Sequence, residues 1–426
     1  MNYLALFSLS TLLLLTACGA DDSSPASIVY DEGEDIELSA DRIAKPRLAL
    51  GYNHSCFITA DNGSVMCWGD NKQGQLGNGK RIEPETDGEP TFEDEENAEE
   101  FKENLFSHTP VAVVNYDNSP VIDAIEISAS ENHTCALLEG ENVKCWGSNS
   151  NGQLGNTELN AQNKKTSSTA VEVTDLQGAK SISVGNNYSC ALLEGGDIKC
   201  WGKTPSDFSA DKLLALTNKK PIQLATASNH VCAVVENNQI QCWGDSDNGK
   251  LGHTENTEQV VTGIDKALLV SSKGSHSCAL LNNGRVRCWG ENLKGQIGNG
   301  DGGSASNTVK VPTKNVIQLS QVISLSSGEH YNCAVTQLGQ VKCWGYNGNG
   351  QLGYTSTGSY KQSFTPDVAI PDISTAIEVS VSQSHSCALL VNELEEEAVS
   401  CWGKNDRGQL GLSTKENNSE PVKVEF

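Results

Sequence analysis

Residues 124–155 read AIEISASENHTCALLEGENVKCWGSNSNGQLG, and the fold follows from how this stretch is read. It opens with apolar alternation at Ile125 and Ile127 and resumes in the apolar run Cys135-Ala-Leu-Leu138. A polar turn from Glu139 to Asn142 contains Gly140, and Val143-Lys-Cys145-Trp146 then returns. Two β-prone runs joined by a short glycine-bearing turn read as a hairpin. Centring it on Gly140 sets Cys135 directly opposite Cys145, where cross-strand Cβ atoms lie about 4.5–5.5 Å apart. A modest adjustment then meets disulfide geometry. A bridge across so small a loop contributes about 2–3 kcal/mol in the chain-entropy account.

Working outward, the same pattern recurs seven times in 426 residues. All seven tryptophans stand in Cys-Trp-Gly: Trp68, Trp146, Trp201, Trp243, Trp289, Trp344 and Trp402. A second cysteine precedes each, giving the pairs Cys56/Cys67, Cys135/Cys145, Cys190/Cys200, Cys232/Cys242, Cys278/Cys288, Cys333/Cys343 and Cys387/Cys401. The first-cysteine spacing is 42–55 residues except for 79 between the first two repeats, a period that marks a repeat architecture. Another β-prone run precedes most hairpins, as in Pro110-Val-Ala-Val113, Ala170-Val-Glu-Val173 and Pro366-Asp-Val-Ala-Ile370. That makes about four short strands per repeat, and no long 3.6-period apolar stretch predicts a helix.

Four-stranded units repeated radially make a propeller. Continuous apolar runs such as Cys-Ala-Leu-Leu fit blades covered on both faces. The expected fold is all-β, a seven-bladed propeller over residues 45–426. The chain ends in Pro421-Val-Lys-Val-Glu-Phe426, which matches the first strand of a repeat, while Arg47-Leu-Ala-Leu50-Gly reads as a second-strand equivalent. The C-terminal strand is therefore expected to complete the N-terminal blade and close the ring.

Fourteen of fifteen cysteines belong to repeats, and Cys18 remains. Residues 1–17, MNYLALFSLSTLLLLTA, form an apolar run too short for a spanning helix and read as a signal peptide. Leu15-Thr16-Ala17-Cys18 resembles a bacterial lipobox, in which the cysteine becomes the lipidated first residue. Unlike most such signals, this one has no Lys or Arg before the apolar run. Gly19 in place of Asp implies, by the same resemblance, sorting to the outer membrane. The chain is thus expected to be an exported lipoprotein, periplasmic or surface-exposed, with residues 18–44 as an acidic flexible tether. Disulfides persist in such compartments and are rare in the cytosol. No Cys-x-x-Cys occurs, the short spacing zinc sites favour. The fourteen repeat cysteines therefore read as seven disulfides.

The succession His-Ser-Cys-Ala-Leu, Val-x-Cys-Trp-Gly and Gly-Gln-Leu-Gly resembles the regulator of chromosome condensation repeat in a bacterial, cysteine-rich form. The closing tetrapeptide stands at Gly74–Gly77, Gly152–Gly155, Gly350–Gly353 and Gly408–Gly411, with variants at Gly249–Gly252 and Gly295–Gly298. The third repeat lacks it and runs Gly202-Lys-Thr-Pro-Ser. The resemblance covers about residues 45–426 and implies the propeller. It does not imply one function, because the fold serves a nucleotide-exchange factor for the GTPase Ran, a plant ultraviolet receptor and a secreted bacterial β-lactamase inhibitor.

Other repeated residues have architectural readings. The tetrapeptide glycines suit tight turns. Asn248-Gly-Lys-Leu-Gly252 lacks the spacing and following helix of a phosphate loop. His54, His133, His230, His276 and His385 stand two residues before the first cysteine of their pairs, and Tyr188 and Tyr331 take that place in the other two repeats. A ring of imidazoles could hold a metal, but two of the seven positions are Tyr and each His belongs to a separate blade, so a hydrogen-bonded strand-entry residue is expected. The tryptophans, fixed beside the cysteines, read as packing groups rather than as a photoreceptor array.

Charge narrows the partners. The net charge of −24 disfavours nucleic-acid phosphate and anionic lipid surfaces. An acidic insertion at about 80–108 contains residues 81–104 with eleven acidic and two basic side chains. It reads as a solvated loop, with calcium sensitivity or docking of a basic partner as its functional readings. No catalytic motif appears and no catalytic residue is singled out. The expected function is a protein-interaction or binding scaffold acting through propeller-face loops, monomeric, with a protein or glycan partner and no cofactor. The alternatives are an extracellular hydrolase or lyase with a loop-built site, and an inhibitor of an extracellular enzyme. Nucleotide exchange is disfavoured by compartment.

Overall fold

The computed structural model describes residues 35–39, 43–80, 104–205, 219–253, 260–302, 308–354 and 362–426. Seven separate antiparallel sheets follow one another along the chain, one per repeat. Blade 1 is β1 (Leu48–Leu50), β2 (His54–Ile58), β3 (Val65–Asp70) and β4 (Phe106–Ala112). Blade 2 is β5 (Ala124–Ser130), β6 (His133–Leu138), β7 (Val143–Ser148) and β8 (Thr166–Glu172), with a short helix α1 (Thr157–Ala161) before β8. Blade 3 is β9 (Ala179–Val184), β10 (Tyr188–Leu193) and β11 (Ile198–Gly202). Blade 4 is β12 (Pro221–Thr226), β13 (His230–Val235) and β14 (Ile240–Gly244). Blade 5 is β15 (Ala267–Lys273), β16 (His276–Leu281) and β17 (Val286–Gly290). Blade 6 is β18 (Val322–Ser327), β19 (Tyr331–Thr336), β20 (Val341–Tyr346) and β21 (Gln362–Ser363). Blade 7 is β22 (Ala376–Val381), β23 (His385–Val391), β24 (Glu397–Gly403) and β25 (Asn418–Lys423).

The second strand of each blade is buried along nearly its whole length, as expected of a sheet packed on both faces. Its cysteine lies opposite the third-strand cysteine in every hairpin, for example Cys135 opposite Cys145 and Cys232 opposite Cys242. All seven expected disulfides are present: Cys56–Cys67, Cys135–Cys145, Cys190–Cys200, Cys232–Cys242, Cys278–Cys288, Cys333–Cys343 and Cys387–Cys401. Their Cα–Cα distances are 4.0–4.1 Å. In the blade 2 turn the left-handed position is Glu141 (φ 64°), one residue beyond the expected centre at Gly140.

The strand frame differs from the sequence expectation. Val111 and Val171 pair with Cys67 and Cys145, so the Pro-Val-Ala-Val and Ala-Val-Glu-Val runs are the outer strands of the preceding blade. β1 is accordingly an innermost strand, not a second-strand equivalent. The same shift corrects the expected closure. β25 pairs with β24 inside blade 7, and blade 1 is built wholly from N-terminal residues. The pattern was ambiguous because each such run stands between two hairpins and could be assigned to either.

The ring closes instead by packing blade 7 on blade 1. Val424, 1% exposed, joins Leu48, Leu50 and Trp68 in one apolar cluster. Phe426 lies 5.5 Å from Phe57 between ring centroids. The Glu378 carboxylate accepts from the Arg47 and Leu48 backbone N–H groups at 3.0–3.2 Å, and Arg47 grips Glu397 with both terminal nitrogens.

Six blades share a further bond. Val113, Val173, Val261, Val316, Ile370 and Val424 donate their N–H to the carbonyls of Val65, Val143, Ile240, Val286, Val341 and Val399 at 2.8–2.9 Å. In blade 2, Val173 and Trp201 of the next blade crowd Gly155 so closely that a Cβ there would come within 2.8–2.9 Å of them. The glycine of Cys-Trp-Gly is equally constrained. Gly147 has φ 101°, and a Cβ would lie 2.3 Å from the Asn132 carbonyl oxygen.

The tether also needs a correction. Residues 35–39 are docked on blade 5 rather than flexible. Leu38 donates its N–H to the Asn282 carbonyl at 2.7 Å, Asp35 pairs with Arg285 at 2.7 Å, and Leu38 is 7% exposed. Cys18, the signal segment, the rest of the tether apart from residues 43–44, and residues 81–103 of the acidic insertion lie outside the described residues.

Two outcomes test this account. Val424→Ala should cost roughly 2 kcal/mol in denaturant unfolding, because it removes buried methyls at the closure. Peptide mapping by non-reducing mass spectrometry should find seven bridges, each within one repeat; free thiols at these positions would contradict the assignment.

Candidate functional site

Alternating strand direction places the first-to-second-strand turns and the third-to-fourth-strand connections at one end of the ring. The hairpin turns between cysteines lie at the other. The chain leaves β3 for the acidic insertion at the first end, and the docked residues 35–39 meet the second end through the β16–β17 turn.

At the first end, residues from equivalent turns converge on the axis. Asn186 of blade 3 shares its amide N–H groups among Tyr52 Oη of blade 1 (3.3 Å), Glu131 Oε1 of blade 2 (3.3 Å) and Ser228 Oγ of blade 4 (3.0 Å). Its Oδ1 accepts from Ser130 Oγ at 2.9 Å. Lys273 of blade 5 crosses the ring to donate to the Leu50 carbonyl of blade 1 at 3.2 Å. Burial lowers the Lys273 amine to about 8, while Glu329 of blade 6 acts in the opposite direction. Burial and the charges of Glu329 and Glu131 push the Tyr52 hydroxyl well above its ordinary value. Burial likewise raises Glu131. These residues stand two or three positions before the ring histidines and tyrosines and, apart from Glu131 and Glu329, differ from blade to blade. The sequence held no repeated signal for them.

Just beneath lies a ring of inter-blade hydrogen bonds. His54 Nε2 reaches Thr134 Oγ1 of the next blade at 2.8 Å, His133 reaches Ser189 at 3.0 Å, and His230 reaches Ser277 at 2.9 Å. His276 meets Asn332 Oδ1 at 2.9 Å, and His385 completes the circle at Ser55 of blade 1, 2.9 Å away. Tyr188 and Tyr331 donate to the Ala227 and His385 carbonyls of their next blades. All seven residues are 0–1% exposed. They form the hydrogen-bonded strand entries expected from sequence. No group of three or more His, Cys, Asp or Glu suited to a metal occurs among the described residues.

A second ring binds blades further out. Trp68, Trp146, Trp201, Trp289, Trp344 and Trp402 donate Nε1–H to the carbonyls of Gln409, Gln75, Gln153, Lys250, Gln296 and Gln351 at 2.9–3.0 Å. Each acceptor is the second residue of the preceding blade's tetrapeptide, which gives that motif a role the turn reading missed. Trp243 follows the repeat without a tetrapeptide, and its buried Nε1–H has no partner among the described residues.

The cysteines singled out from the sequence supply no reactive group. Cys56, Cys67, Cys135, Cys145, Cys190, Cys200, Cys232, Cys242, Cys278, Cys288, Cys333, Cys343, Cys387 and Cys401 are all consumed as disulfides within their own hairpins. Cys288, Cys343 and Cys401, the third-strand members of blades 5, 6 and 7, are buried with their partners Cys278, Cys333 and Cys387. Their role is to staple a hairpin, not to form part of a binding site. Cys18, the lipidation residue expected from sequence, lies outside the described residues.

Buried carboxylates serve the inter-blade interfaces as well. Glu126 accepts from Ser181 Oγ at 2.7 Å and from the Ile182 N–H at 3.0 Å, across the blade 2–3 boundary. Burial raises Glu378, at the closure, to about 7. Neither faces a cleft. Glu131 and Glu329, from different blades, both act electrostatically on Tyr52, and Glu131 is also hydrogen-bonded to it.

This is a propeller whose repeated side chains bind blade to blade. Two models of the regulator of chromosome condensation (RCC1) repeat match it: one at residues 47–75, 124–153, 179–204, 222–250, 269–296 and 322–351, the other at 62–137, 339–389 and 398–426. Together they span more than half of the chain, which belongs to the RCC1 repeat family. It is 24% identical over 415 residues to the ultraviolet-B receptor UVR8 of Arabidopsis thaliana, covering 91% of this chain and 84% of that one. It is also 24% identical over 317 residues to the human E3 ubiquitin-protein ligase HERC2, 72% of this chain but 5% of that protein. Among solved structures, Prp20p of Saccharomyces cerevisiae shares the fold at a TM-score of 0.68 and 20% identity, covering 92% of this chain and 90% of that one. Human WBSCR16 does so at 0.65 and 18%, covering 85% and 94%. Propellers of this type are typically protein-binding scaffolds.

Burial lowers the ring histidines from 6.5 to about 3 for His54, His133, His230 and His385, and to about 4 for His276. They stay neutral in the folded chain, whereas unfolded histidine takes up a proton near 6.5. Acidification through 6.5 therefore favours the unfolded chain, by up to about 1.4 kcal/mol per pH unit per histidine. The melting temperature should fall between pH 6.5 and 4. Gly51 and Gly185 leave similar room over His54 and Tyr188, since a Cβ on either would strike the ring. His54→Tyr should consequently fold at neutral pH and show a shallower acid slope in paired thermal melts; equal slopes would contradict the ring's role.

Proposed function

We propose that the protein is an exported, outer-membrane lipoprotein, anchored through Cys18, that binds a protein or glycan partner with the loop-bearing end of its propeller. The observation that carries this reading is the use of the repeated side chains. The repeated histidines and tyrosines and six of the seven tryptophans are committed to blade-to-blade bonds, and fourteen cysteines are committed to disulfides. Specificity then resides in what varies at the loop-bearing end, where a rigid scaffold displays changeable connections. Seven disulfides support an oxidising compartment. Residues 35–39 dock on the opposite end, which suits a tether that leaves the loop-bearing end free. The net charge of −24 favours partners other than nucleic acid. The acidic insertion would serve as a calcium-sensitive loop or as a docking site for a basic partner.

A hydrolase or lyase reading would rest on Glu131 and Glu329. The hydrogen bond of Glu131 to Tyr52, and the tie from Lys273 to the Leu50 carbonyl across the ring, favour a structural use of this cluster over a catalytic one. Inhibition of an external enzyme is a special case of partner binding at the same end.

The anchor is checked by phase partitioning of the native protein in a cloud-point detergent. Wild type should enter the detergent phase, and Cys18→Ser should remain in the aqueous phase; an unchanged partition would refute lipidation. Cross-linking capture from native envelopes, with and without calcium, should yield a specific partner through the loop-bearing end.

A further inference from the structure

Blade 3 differs from the other six at its outer edge. Blades 1, 2, 6 and 7 have a described fourth strand, while blades 4 and 5 have isolated bridges, Gln241–Val260 and Gly290–Val309, in its place. Among the described residues, β11 pairs only with β10. Eighteen residues separate Gly202 from Pro221, whereas 31 separate Gly147 from Ala179 in blade 2.

Three consequences lie together. First, no described N–H reaches the Ile198 carbonyl, although the equivalent carbonyl accepts one in each of the six other blades. Second, Cys200, Trp201 and Gly202 form the one Cys-Trp-Gly with every residue at least partly exposed; the other six tryptophans are 0–3% exposed. Third, the Trp243 indole N–H, 97% shielded with its residue, lacks the acceptor that a blade 3 tetrapeptide would supply. An unpaired strand edge is a template for another strand, and unsatisfied polar groups favour its occupation.

The chemistry of an occupant can be read from blade 2. There Lys144 lies opposite Glu172 in the ladder, and Val173 donates to the Val143 carbonyl. Lys199 and Ile198 are the blade 3 counterparts of Lys144 and Val143. From Ile198 to Lys203 the edge carries two lysines and no acid, in a chain of net charge −24. An opposite-charge pair directly across strands is favourable. We infer that the outer edge of blade 3 is a docking site for an extended acidic segment of a partner protein, which adds to β11 as a fourth strand, where none pairs among the described residues. Strand addition takes affinity from main-chain bonds and specificity from alternate side chains. The partner's glutamate opposes Lys199, and its next residue donates an N–H to the Ile198 carbonyl. The inference rests on the reading of the protein as a binding scaffold but places this contact on the rim, apart from the loop-bearing end.

The probe is a fluorescein-labelled peptide, EETAVEVTD, which copies Thr169–Asp175 behind two added glutamates. Anisotropy titration against the full chain should show saturable binding. N-methylation of the valine that copies Val173 should weaken binding about tenfold, the effect of one lost main-chain hydrogen bond. Lys199→Glu should weaken it by a similar factor. Lys144→Glu, on an edge already covered by β8, should leave it unchanged, with far-UV circular dichroism confirming that both variants fold. Hydrogen exchange should slow within residues 198–203 when the peptide is present. Absence of binding, or binding indifferent to N-methylation and to Lys199→Glu, would overturn the inference. Binding that appears only after excision of residues 206–218 would also overturn it, because the chain would then occupy its own edge. Envelope capture through the loop-bearing end is a separate result, so either can fail alone.

Discussion

A buried indole N–H requires an acceptor, and around this ring the acceptor belongs to the preceding blade. A donor left without one costs about 1–3 kcal/mol, so six tryptophans make six of the seven blades incomplete until the preceding blade is in place, Trp243 of blade 4 being the exception. The histidine and tyrosine ring adds the reverse dependence, since each of those side chains reaches forward to the next blade. Looking both ways, no blade can end the array. An open solenoid tolerates ends by capping them. Here the last tetrapeptide supplies Gln409 to Trp68, and His385 finds Ser55, so the first and last blades meet as any other pair does. Closure therefore needs no exchanged strand. The added grip of Arg47 on Glu397 and of Glu378 on the β1 backbone strengthens this one junction between chain-distant blades.

Much of the fold was legible because the repeats carry chemistry with a single spacing. Seven Cys-Trp-Gly tripeptides counted the blades, and the even cysteine pairing gave the hairpin register to the residue. The frame of the repeat was not legible. A Pro-Val-x-Val run between two hairpins reads alike whether it opens one blade or closes the last, and only the ladder from Val171 to Cys145 decides. The inter-blade role of the tetrapeptide was hidden for another reason: its acceptor is a backbone carbonyl, which leaves no side-chain signature. Likewise, Glu126 and Glu378 look like surface acids in the sequence, yet they bind the next blade's inner strand.

The axial cluster was the least legible element. Tyr52, Glu131, Asn186, Ser228, Lys273 and Glu329 occupy equivalent turns but share no common residue type, only Glu occurring twice, and their meaning depends on the ring bringing the turns to one axis. The histidines one step below were legible in position and in outcome. Alternation with tyrosine excluded a uniform ligand set, and hydrogen bonding to hydroxyl, amide and carbonyl groups is what His and Tyr have in common. The molecule thus separates a repeated interior, which holds blades together, from irregular turns and connections, which face outward and differ.

The placement of the disulfides bears on how such a chain matures. Each cysteine finds its partner 10–14 residues away, whereas the nearest cysteine of the next pair is 32–68 residues away. Loop-closure entropy favours the shorter partner by roughly 1 kcal/mol or more. Under the export proposed above, a chain delivered N-terminus first into an oxidising space can seal each hairpin before the next pair arrives. Its covalent order is then settled locally and sequentially, and proofreading by disulfide isomerisation becomes a minor requirement. The contact of largest sequence separation left to form is the meeting of blades 1 and 7.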